Sequence, residues 1–270
     1  MSSTIEKWMK GKGDGGKSET SSPLSKTDSK RAPATNFVTL DYDGLARQGY
    51  IVKHANKEII DEYRLIKRRL LKSMQTMDVQ YPNIILVTSA LQGDGKTFTA
   101  LNLAFSLAME VDRTVLLIDG DVIKCGIEKT LGISSRAGLV DLLSQKGIEF
   151  SQAVYKTEIE NLSILPAGNL DDRSTELLSS DRMKEFCDEV SRRYPDRLII
   201  IDSPPILQTT ESQALAHILN HIVFVVSSAH TSRVSISNAM ELLDREKNLQ
   251  FILNKARLRS AGMYYYYGEK

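Results

Sequence analysis

The stretch Ile84-Ile-Leu-Val-Thr-Ser-Ala-Leu-Gln-Gly-Asp-Gly-Lys-Thr97 decides the fold of this chain. Its first four residues are apolar and mostly β-branched or leucine, which predicts a buried strand. A turn containing Gly93 and Gly95 follows, and apolar residues then recur at helical spacing over residues 98–109. Strand, turn and helix in this order predict a phosphate-binding loop, with Ala90 in the first position, where glycine is commoner.

The residue types in this loop suit the binding of a triphosphate. Glycines at 93 and 95 let backbone N–H groups curve around phosphate oxygens, and the following helix adds partial positive charge at its N-terminus. We expect the Lys96 ammonium to reach the β- and γ-phosphates and the Thr97 hydroxyl to ligate Mg²⁺. The predicted nucleotide-binding residues of this segment are Gly93, Asp94, Gly95, Lys96, Thr97 and Phe98.

A second segment, residues 11–18, also has the spacing of a phosphate loop. No apolar strand precedes it and no helical apolar pattern follows, so we predict a linker there. Residues 11–36 are rich in Gly, Ser, Thr and Lys, and together with residues 1–10 they are predicted to form a flexible N-terminal segment, 1–36. Within it, the capping-box spacing of Ser3 and Glu6 leaves open a short amphipathic helix or a frayed terminus.

Carboxylates follow two further apolar runs. Residues 114–121 predict a second buried strand ending in Asp119 and Asp121, whose side chains point the same way because they are two residues apart. Residues 198–205 predict a third buried strand, and Asp202 at its end fits the Walker B position. Because parallel strands bring their carboxyl ends to one edge, we expect a Mg²⁺ site there. The predicted metal ligands are Thr97, Asp119 and Asp202, and the predicted catalytic residues are Lys96, Asp119, Asp121 and Asp202.

Strands and helices alternate along the rest of the chain. Further helices are predicted at residues 57–74, 139–143, 174–190 and 232–244, and further strands at 162–165, 222–226 and 250–253. This alternation predicts an α/β P-loop NTPase fold with a doubly wound, mostly parallel sheet and helices on both faces. Asn254 follows the last strand at the edge of the phosphate loop, so its amide is a candidate for recognising adenine.

The composition is that of an ordinary globular protein. The chain has 270 residues, 41% of them hydrophobic and 26% charged, which allows one large α/β domain. A net charge of +1 gives no electrostatic reason to expect a nucleic-acid partner. Two cysteines, and apolar runs well short of the ~20 residues that span a bilayer, favour a cytoplasmic location.

Residues 256–270 are predicted to form a flexible C-terminal tail that ends in a tyrosine cluster. A packed core does not normally place four aromatic residues in a row at a terminus. Tyr264 lies nine positions after Lys255, and an extended chain of that length spans about 30 Å. The tail is therefore long enough to reach a nucleotide site on a neighbouring subunit or its own. A sticky aromatic patch or an edge strand is the alternative.

Several of these segments together resemble the bacterial tyrosine autokinases (BY-kinases) that regulate exopolysaccharide synthesis. The segments are SALQGDGKT, VLLIDGDVIK, LIIIDSPP and the terminal YYYY. EYRLIKRRLL, LPAG, TELLSSDRM and LNKAR are most similar to the exosortase-associated (PEP-CTERM/XrtA) branch. The resemblance covers residues 37–270. It implies a kinase domain at 37–255 that uses ATP and Mg²⁺ to phosphorylate its own tail, between subunits, and so regulates polysaccharide polymerisation and export.

The resemblance also implies roles for individual residues. Asp119 and Asp121 take the Walker A′ positions, where they contact Mg²⁺ and orient or deprotonate the acceptor tyrosine, and Asp202 takes the Walker B position. In the family, an E-x-x-R-x-x-R helix contacts the next subunit of a ring. The phospho-acceptors are Tyr264, Tyr265, Tyr266 and Tyr267, and the predicted oligomer contacts are Asp61, Arg64 and Lys67.

The sequence departs from the family pattern at positions that matter for ring assembly more than for nucleotide binding. An aspartate and a lysine replace the first and last residues of the ring motif, and Ile123 and Cys125 stand where many members carry Arg and Pro. The resemblance implies ATP and ADP as ligands and a homo-oligomer. It also implies a membrane-embedded polysaccharide co-polymerase that activates the kinase at the inner face of the cytoplasmic membrane.

Two other functions are compatible with the same loop. A partition- or septum-positioning ATPase carries an extra lysine early in the loop, at the position of Leu91 here, and lacks the tyrosine cluster. A non-catalytic nucleotide-binding scaffold does not need the full set of Lys96, Thr97 and three carboxylates. The absence of that lysine and the presence of the tyrosine cluster favour the kinase over the partition ATPase, and the full set of site residues favours it over the scaffold.

Overall fold

The computed structural model describes residues 36–144, 147–170 and 172–256. The predicted N-terminal segment up to residue 35 and the tail from residue 257, including the tyrosine cluster, lie outside the described residues.

The described residues form one eight-stranded sheet. The strand order is β1-β4-β5-β3-β6-β2-β7-β8, and every neighbouring pair is parallel except β4 with β5. The strands are β1 (Asn36–Val38), β2 (Ile84–Ser89), β3 (Thr114–Asp119), β4 (Tyr155–Thr157), β5 (Leu162–Leu165), β6 (Arg197–Asp202), β7 (His221–Ser227) and β8 (Asn248–Asn254).

Helices connect the strands and cover both faces of the sheet. The helices of the described residues are α1 (Tyr42–Arg47), α2 (Lys57–Met74), α3 (Lys96–Leu107), α4 (Gly126–Leu131), α5 (Leu139–Leu143), α6 (Phe150–Ala153), α7 (Ser174–Leu178), α8 (Asp181–Arg193), α9 (Thr210–Ile218) and α10 (Arg233–Glu241). None of them is long and apolar enough to cross a membrane.

The core has two layers, one on each face of the sheet. Along β2, Ile84 and Leu86 pack into one layer, whereas Ile85 and Val87 pack into the other. Because successive side chains of a strand point to opposite faces, a strand buried on both sides must be apolar throughout. The predicted α/β P-loop fold with a doubly wound, mostly parallel sheet is therefore confirmed.

Two element predictions are wrong in detail. The helix predicted over residues 174–190 is two helices, because the chain at Ser180 is extended (ψ 166°) and interrupts the helix between α7 and α8. β3 ends at Asp119, so Asp121 lies in the following turn rather than on the strand. Its Oδ1 accepts a hydrogen bond there from Lys124 N at 3.4 Å.

Of the three oligomer contacts predicted in α2, the structure leaves two at the surface and buries the third, Lys67. Asp61 and Arg64 lie at the surface and pair with each other at 2.8 Å. Lys67 is buried, and its Nζ lies 2.5 Å from Glu110 Oε1 and donates to Ser106 O at 3.1 Å. Its long stem crosses the apolar contact between α2 and α3 and ends on the C-terminal part of α3, where carbonyl groups favour a cation.

Candidate active site

The phosphate loop connects β2 to α3 in a conformation that requires glycine. Gly93 has φ +88° and Gly95 has φ +100°, the left-handed region that side chains rarely adopt. A Cβ atom at Gly95 would lie 2.0 Å from Asn254 Nδ2. The loop is therefore packed against the end of β8, and Gly95 caps the start of α3.

The Asp94 side chain is turned into the protein and braces the loop. One carboxylate oxygen accepts a hydrogen bond from Leu91 N at 3.0 Å, and the other accepts one from the Thr231 hydroxyl at 2.7 Å. Asp94 is fully buried, so its side chain does not face a ligand in this arrangement. Thr231 lies between β7 and α10, and no motif in the sequence predicted its contact with Asp94.

Two side chains at the end of β8 hold the carbonyl groups of the loop. Asn254 Nδ2 donates to Asp94 O at 2.9 Å, and Lys255 Nζ donates to Gly93 O at 2.7 Å. These bonds turn the two carbonyls towards β8, which is the arrangement a loop needs if its N–H groups are to face an anion. The Asn254 amide predicted to recognise adenine is thus engaged with the loop. The bond from Lys255 to the phosphate loop was not predicted. The only signal in the sequence was the position of Lys255 directly after the last strand.

The predicted metal ligands converge at the N-terminus of α3. Thr97 Oγ1 donates to Asp202 Oδ2 at 2.6 Å, and Asp119 Oδ2 accepts from Ile127 N at 2.9 Å. The other carboxylate oxygens, Asp119 Oδ1 and Asp202 Oδ1, are buried and have no hydrogen-bond partner within the described part of the chain. Buried oxygens without a hydrogen-bond partner favour binding of a cation, because burying an unpaired acceptor costs free energy.

The pKa shifts at the site also indicate that its carboxylates favour a cation. Burial raises the pKa of Asp202 to about 7, and burial together with the nearby Asp202 carboxylate raises the pKa of Asp119 well above its usual range. Burial also lowers the pKa of Lys96, while the Asp202 carboxylate opposes that change. Asp121 interacts electrostatically with all three. The structure therefore brings the four predicted catalytic residues together.

These residues fit a Mg²⁺ ion that is bound mainly by a substrate. No group of three or more His, Cys, Asp or Glu side chains in the described ranges is arranged to hold a metal. Mg²⁺ in nucleotide sites usually keeps waters and phosphate oxygens and takes only one or two carboxylates from the protein. Thr97 with Asp119 and Asp202 supplies that kind of partial set.

The remaining predicted residues lie around this centre. Phe98 is half-buried, and its ring centroid lies 5.1 Å from that of Tyr50, so its side chain packs into the core layer beneath α3. Ile123 lies two residues after Asp121 and is 66% exposed. A cavity of about 590 Å³, lined by Ser228, Ala229, Lys255 and Ala256, opens where β7 and β8 end.

Comparison with known proteins identifies the family. A family model described as an AAA domain matches residues 82–256. The tyrosine-protein kinase YwqD of Bacillus subtilis (strain 168) is 33% identical over 212 residues, which cover 78% of this chain and 86% of that protein. The chain belongs to the bacterial tyrosine-protein kinases. The crystallised kinase domain of VpsO is 30% identical to this kinase with a TM-score of 0.59, covering 74% of this chain and 99% of that one.

Some members of the family are much longer than this chain. The tyrosine-protein kinase wzc of Salmonella typhi is 31% identical over 183 residues, which are 67% of this kinase but 25% of that protein. The kinase names of these relatives favour a tyrosine kinase over a partition-type ATPase. They do not test the exosortase-associated branch, which stays a prediction.

Proposed function

We propose that this kinase transfers the γ-phosphoryl group of ATP to its own C-terminal tyrosines, between subunits. The proposed acceptors are Tyr264, Tyr265, Tyr266 and Tyr267. The observation that carries the proposal is the pair of bonds from Asn254 and Lys255 to the phosphate loop. They fix the start of the tail beside the nucleotide site, and the nine residues from there to Tyr264 are long enough to reach a site about 30 Å away.

Each residue of the centre has a proposed role. Backbone N–H groups of residues 93–97 bind the phosphates, and Lys96 neutralises charge on the transferred group. Thr97, Asp119 and Asp202 would hold Mg²⁺, which would offset the negative charge of the phosphates during transfer. Asp119 and Asp121 hold the tyrosine hydroxyl in line with the phosphorus atom.

The acceptor proton leaves late in this scheme. A phenol has a pKa near 10, so a carboxylate is a weak base for it in water. Phosphoryl transfer depends mainly on positioning and charge neutralisation. The hydroxyl proton passes to a carboxylate of Asp119 or Asp121 as the bond from oxygen to phosphorus forms and the bond to ADP breaks.

The wider setting of the kinase is proposed from its family resemblance. We infer an N-terminal segment that ends where β1 begins at Asn36, a kinase domain that runs to residue 255 and an acceptor tail at 256–270. In this proposal the kinase is a cytoplasmic homo-oligomer, a ring in which Asp61 and Arg64 contact the next subunit. Lys67 is buried within its own chain and takes no part in that contact. A membrane-embedded polysaccharide co-polymerase activates it at the inner face of the membrane and couples it to exopolysaccharide production.

The test is incubation of the purified chain with γ-labelled ATP and Mg²⁺. We expect label on protein tyrosine in the wild type, and its loss in Lys96→Met and Asp119→Ala with the circular dichroism spectrum retained. Label released as free phosphate would instead indicate a partition-type ATPase. Full phosphotyrosine signal in either variant would overturn the assigned roles.

A further inference from the structure

Three buried hydroxyl groups lie next to the loop that follows Asp202. They belong to Thr88 in β2, Ser203 directly after β6 and Ser212 in the first turn of α9, and all three residues are fully buried. Ser212 Oγ lies 3.1 Å from Thr88 Oγ1 and 3.3 Å from Ser203 Oγ. We call these three side chains the hydroxyl cluster. No part of the reaction described above uses it.

The hydroxyl cluster fixes the carbonyl group of Pro204. Ser212 Oγ donates to Pro204 O at 2.8 Å and Thr88 Oγ1 donates to it at 3.0 Å, which fills both lone pairs of that oxygen. Ser203 Oγ donates to Val87 O at 3.0 Å. A satisfied polar network in a dry interior is rigid, because each alternative arrangement leaves a buried group unpaired.

The two prolines explain why hydroxyls are needed here. Pro204 and Pro205 have no N–H group, so the backbone between them cannot donate to β2. Ser203 N donates to Val87 O at 3.1 Å and Ile206 N donates to Ser89 O at 2.9 Å, one on each side of the pair. Between these two bonds, the cluster side chains anchor the loop.

This anchoring sets the position of Asp202 relative to the phosphate loop. β2 leads directly into that loop, and Asp202 is the last residue of β6. Bonds that join residues 203–206 to the end of β2 therefore fix the 2.6 Å contact between Thr97 Oγ1 and Asp202 Oδ2. Helix α9 takes part through Ser212, whose N also bonds to the Thr209 hydroxyl at 3.4 Å.

We propose that Thr88, Ser203 and Ser212 are positioning residues that hold Asp202 in the geometry needed to bind Mg²⁺. Thr88 and Ser212 act through the Pro204 carbonyl, and Ser203 acts through the Val87 carbonyl. The inference rests on the proposed metal role of Asp202 and extends it, because it makes the Mg²⁺ requirement depend on contacts in α9.

The experiment measures binding of a fluorescent ADP analogue as Mg²⁺ is titrated. In the double variant Thr88→Val/Ser212→Ala, we expect the half-saturating Mg²⁺ concentration to rise about five- to tenfold. Affinity for the same analogue in EDTA should stay within about twofold, because the phosphate loop itself is unchanged. If the double variant does not fold, Ser212→Ala alone should raise the Mg²⁺ requirement about two- to threefold.

A matched control is Ser191→Ala. The Ser191 hydroxyl is also buried and donates to Asn83 Oδ1 at 2.5 Å, at the opposite end of β2. This control should lower the melting temperature without changing the Mg²⁺ requirement. Equal Mg²⁺ requirements in the control and the cluster variants would overturn the inference.

The variant Asp202→Asn distinguishes the metal role of Asp202 from the positioning role of the hydroxyl cluster. If this variant raises the Mg²⁺ requirement and the cluster variants do not, the positioning role is wrong and the metal role of Asp202 stands. If Asp202→Asn leaves the requirement unchanged, the metal role is wrong and the inference built on it also fails.

Discussion

At the scale of single residues, the site keeps two carboxylates where their charge is disfavoured. Burial raises the pKa of Asp202 to about 7 and raises that of Asp119 well above its usual range. A proton and a divalent cation then compete for the same oxygens, since each relieves the cost of burying the charge. Nucleotide-bound Mg²⁺ should therefore bind with release of protons.

The free energy of unfolding of the metal-free protein should fall as pH rises through about 7. The pKa of Asp202 is higher in the folded protein than the value near 3.9 of an unfolded chain, so the folded state binds more protons between these pH values. Its stabilising contribution is complete below the unfolded pKa and is lost as the folded carboxyl ionises. Urea denaturation in EDTA between about pH 5 and 8 measures this slope, and Asp202→Asn should reduce it. An unchanged slope in that variant would contradict the pKa assignment.

Motif residues could be predicted from sequence because local spacing determines where they lie. Lys96 and Thr97 follow a strand and a glycine turn, and Asp119 and Asp202 end apolar runs, so the parallel sheet alone brings them to one edge. Partners such as Thr231 and Lys255 could not be found this way. They contact residues 137 and 162 positions away, and such contacts exist only once the strand order is known.

At the scale of elements, the end of β8 is coupled to the phosphate loop. We expect Lys255→Met to weaken ATP binding about threefold, because an exposed lysine–carbonyl bond contributes only a few tenths to about 1 kcal/mol. Lys247→Met is the matched control, since Lys247 Nζ donates to His217 O at 2.6 Å at the other end of the strand. Isothermal titration calorimetry with ATP compares the two, and equal affinities would show that Lys255 does not support the loop.

Long apolar elements were predictable, and short or interrupted ones were not. β2, β3, β6 and β7 are almost wholly buried, which gives an apolar run in the sequence. β1 and β4 have three residues each and alternate with exposed positions, so they carry no such run and were missed. Their pairing depends on neighbours far along the chain, as at the sheet edge where Asn36 lies opposite Tyr155.

At the scale of the whole molecule, we expect α2 to serve two separable purposes: Lys67 stabilises the fold, and Arg64 contacts another subunit. Lys67→Met should lower the free energy of unfolding by about 1–2 kcal/mol, because it leaves Glu110 and a buried carbonyl without their partner. Arg64→Ala should leave that free energy within about 0.5 kcal/mol, since Arg64 is 60% exposed at its side chain. Arg64→Ala should reduce the oligomer fraction in sedimentation velocity if the ring contact is correct. A large loss of stability in Arg64→Ala, or none in Lys67→Met, would contradict this division.

The central claim is that the γ-phosphoryl group of ATP reaches the tyrosine cluster of the tail. Mass-spectrometric mapping of phosphotyrosine tests it most directly, after the purified full chain is incubated with ATP and Mg²⁺. We predict that nearly all phosphate lies on residues 264–267, and that replacing these four tyrosines with Phe removes most of it without changing ATP affinity. Phosphate located mainly at other tyrosines, or full phosphorylation of the Phe variant, would contradict the account.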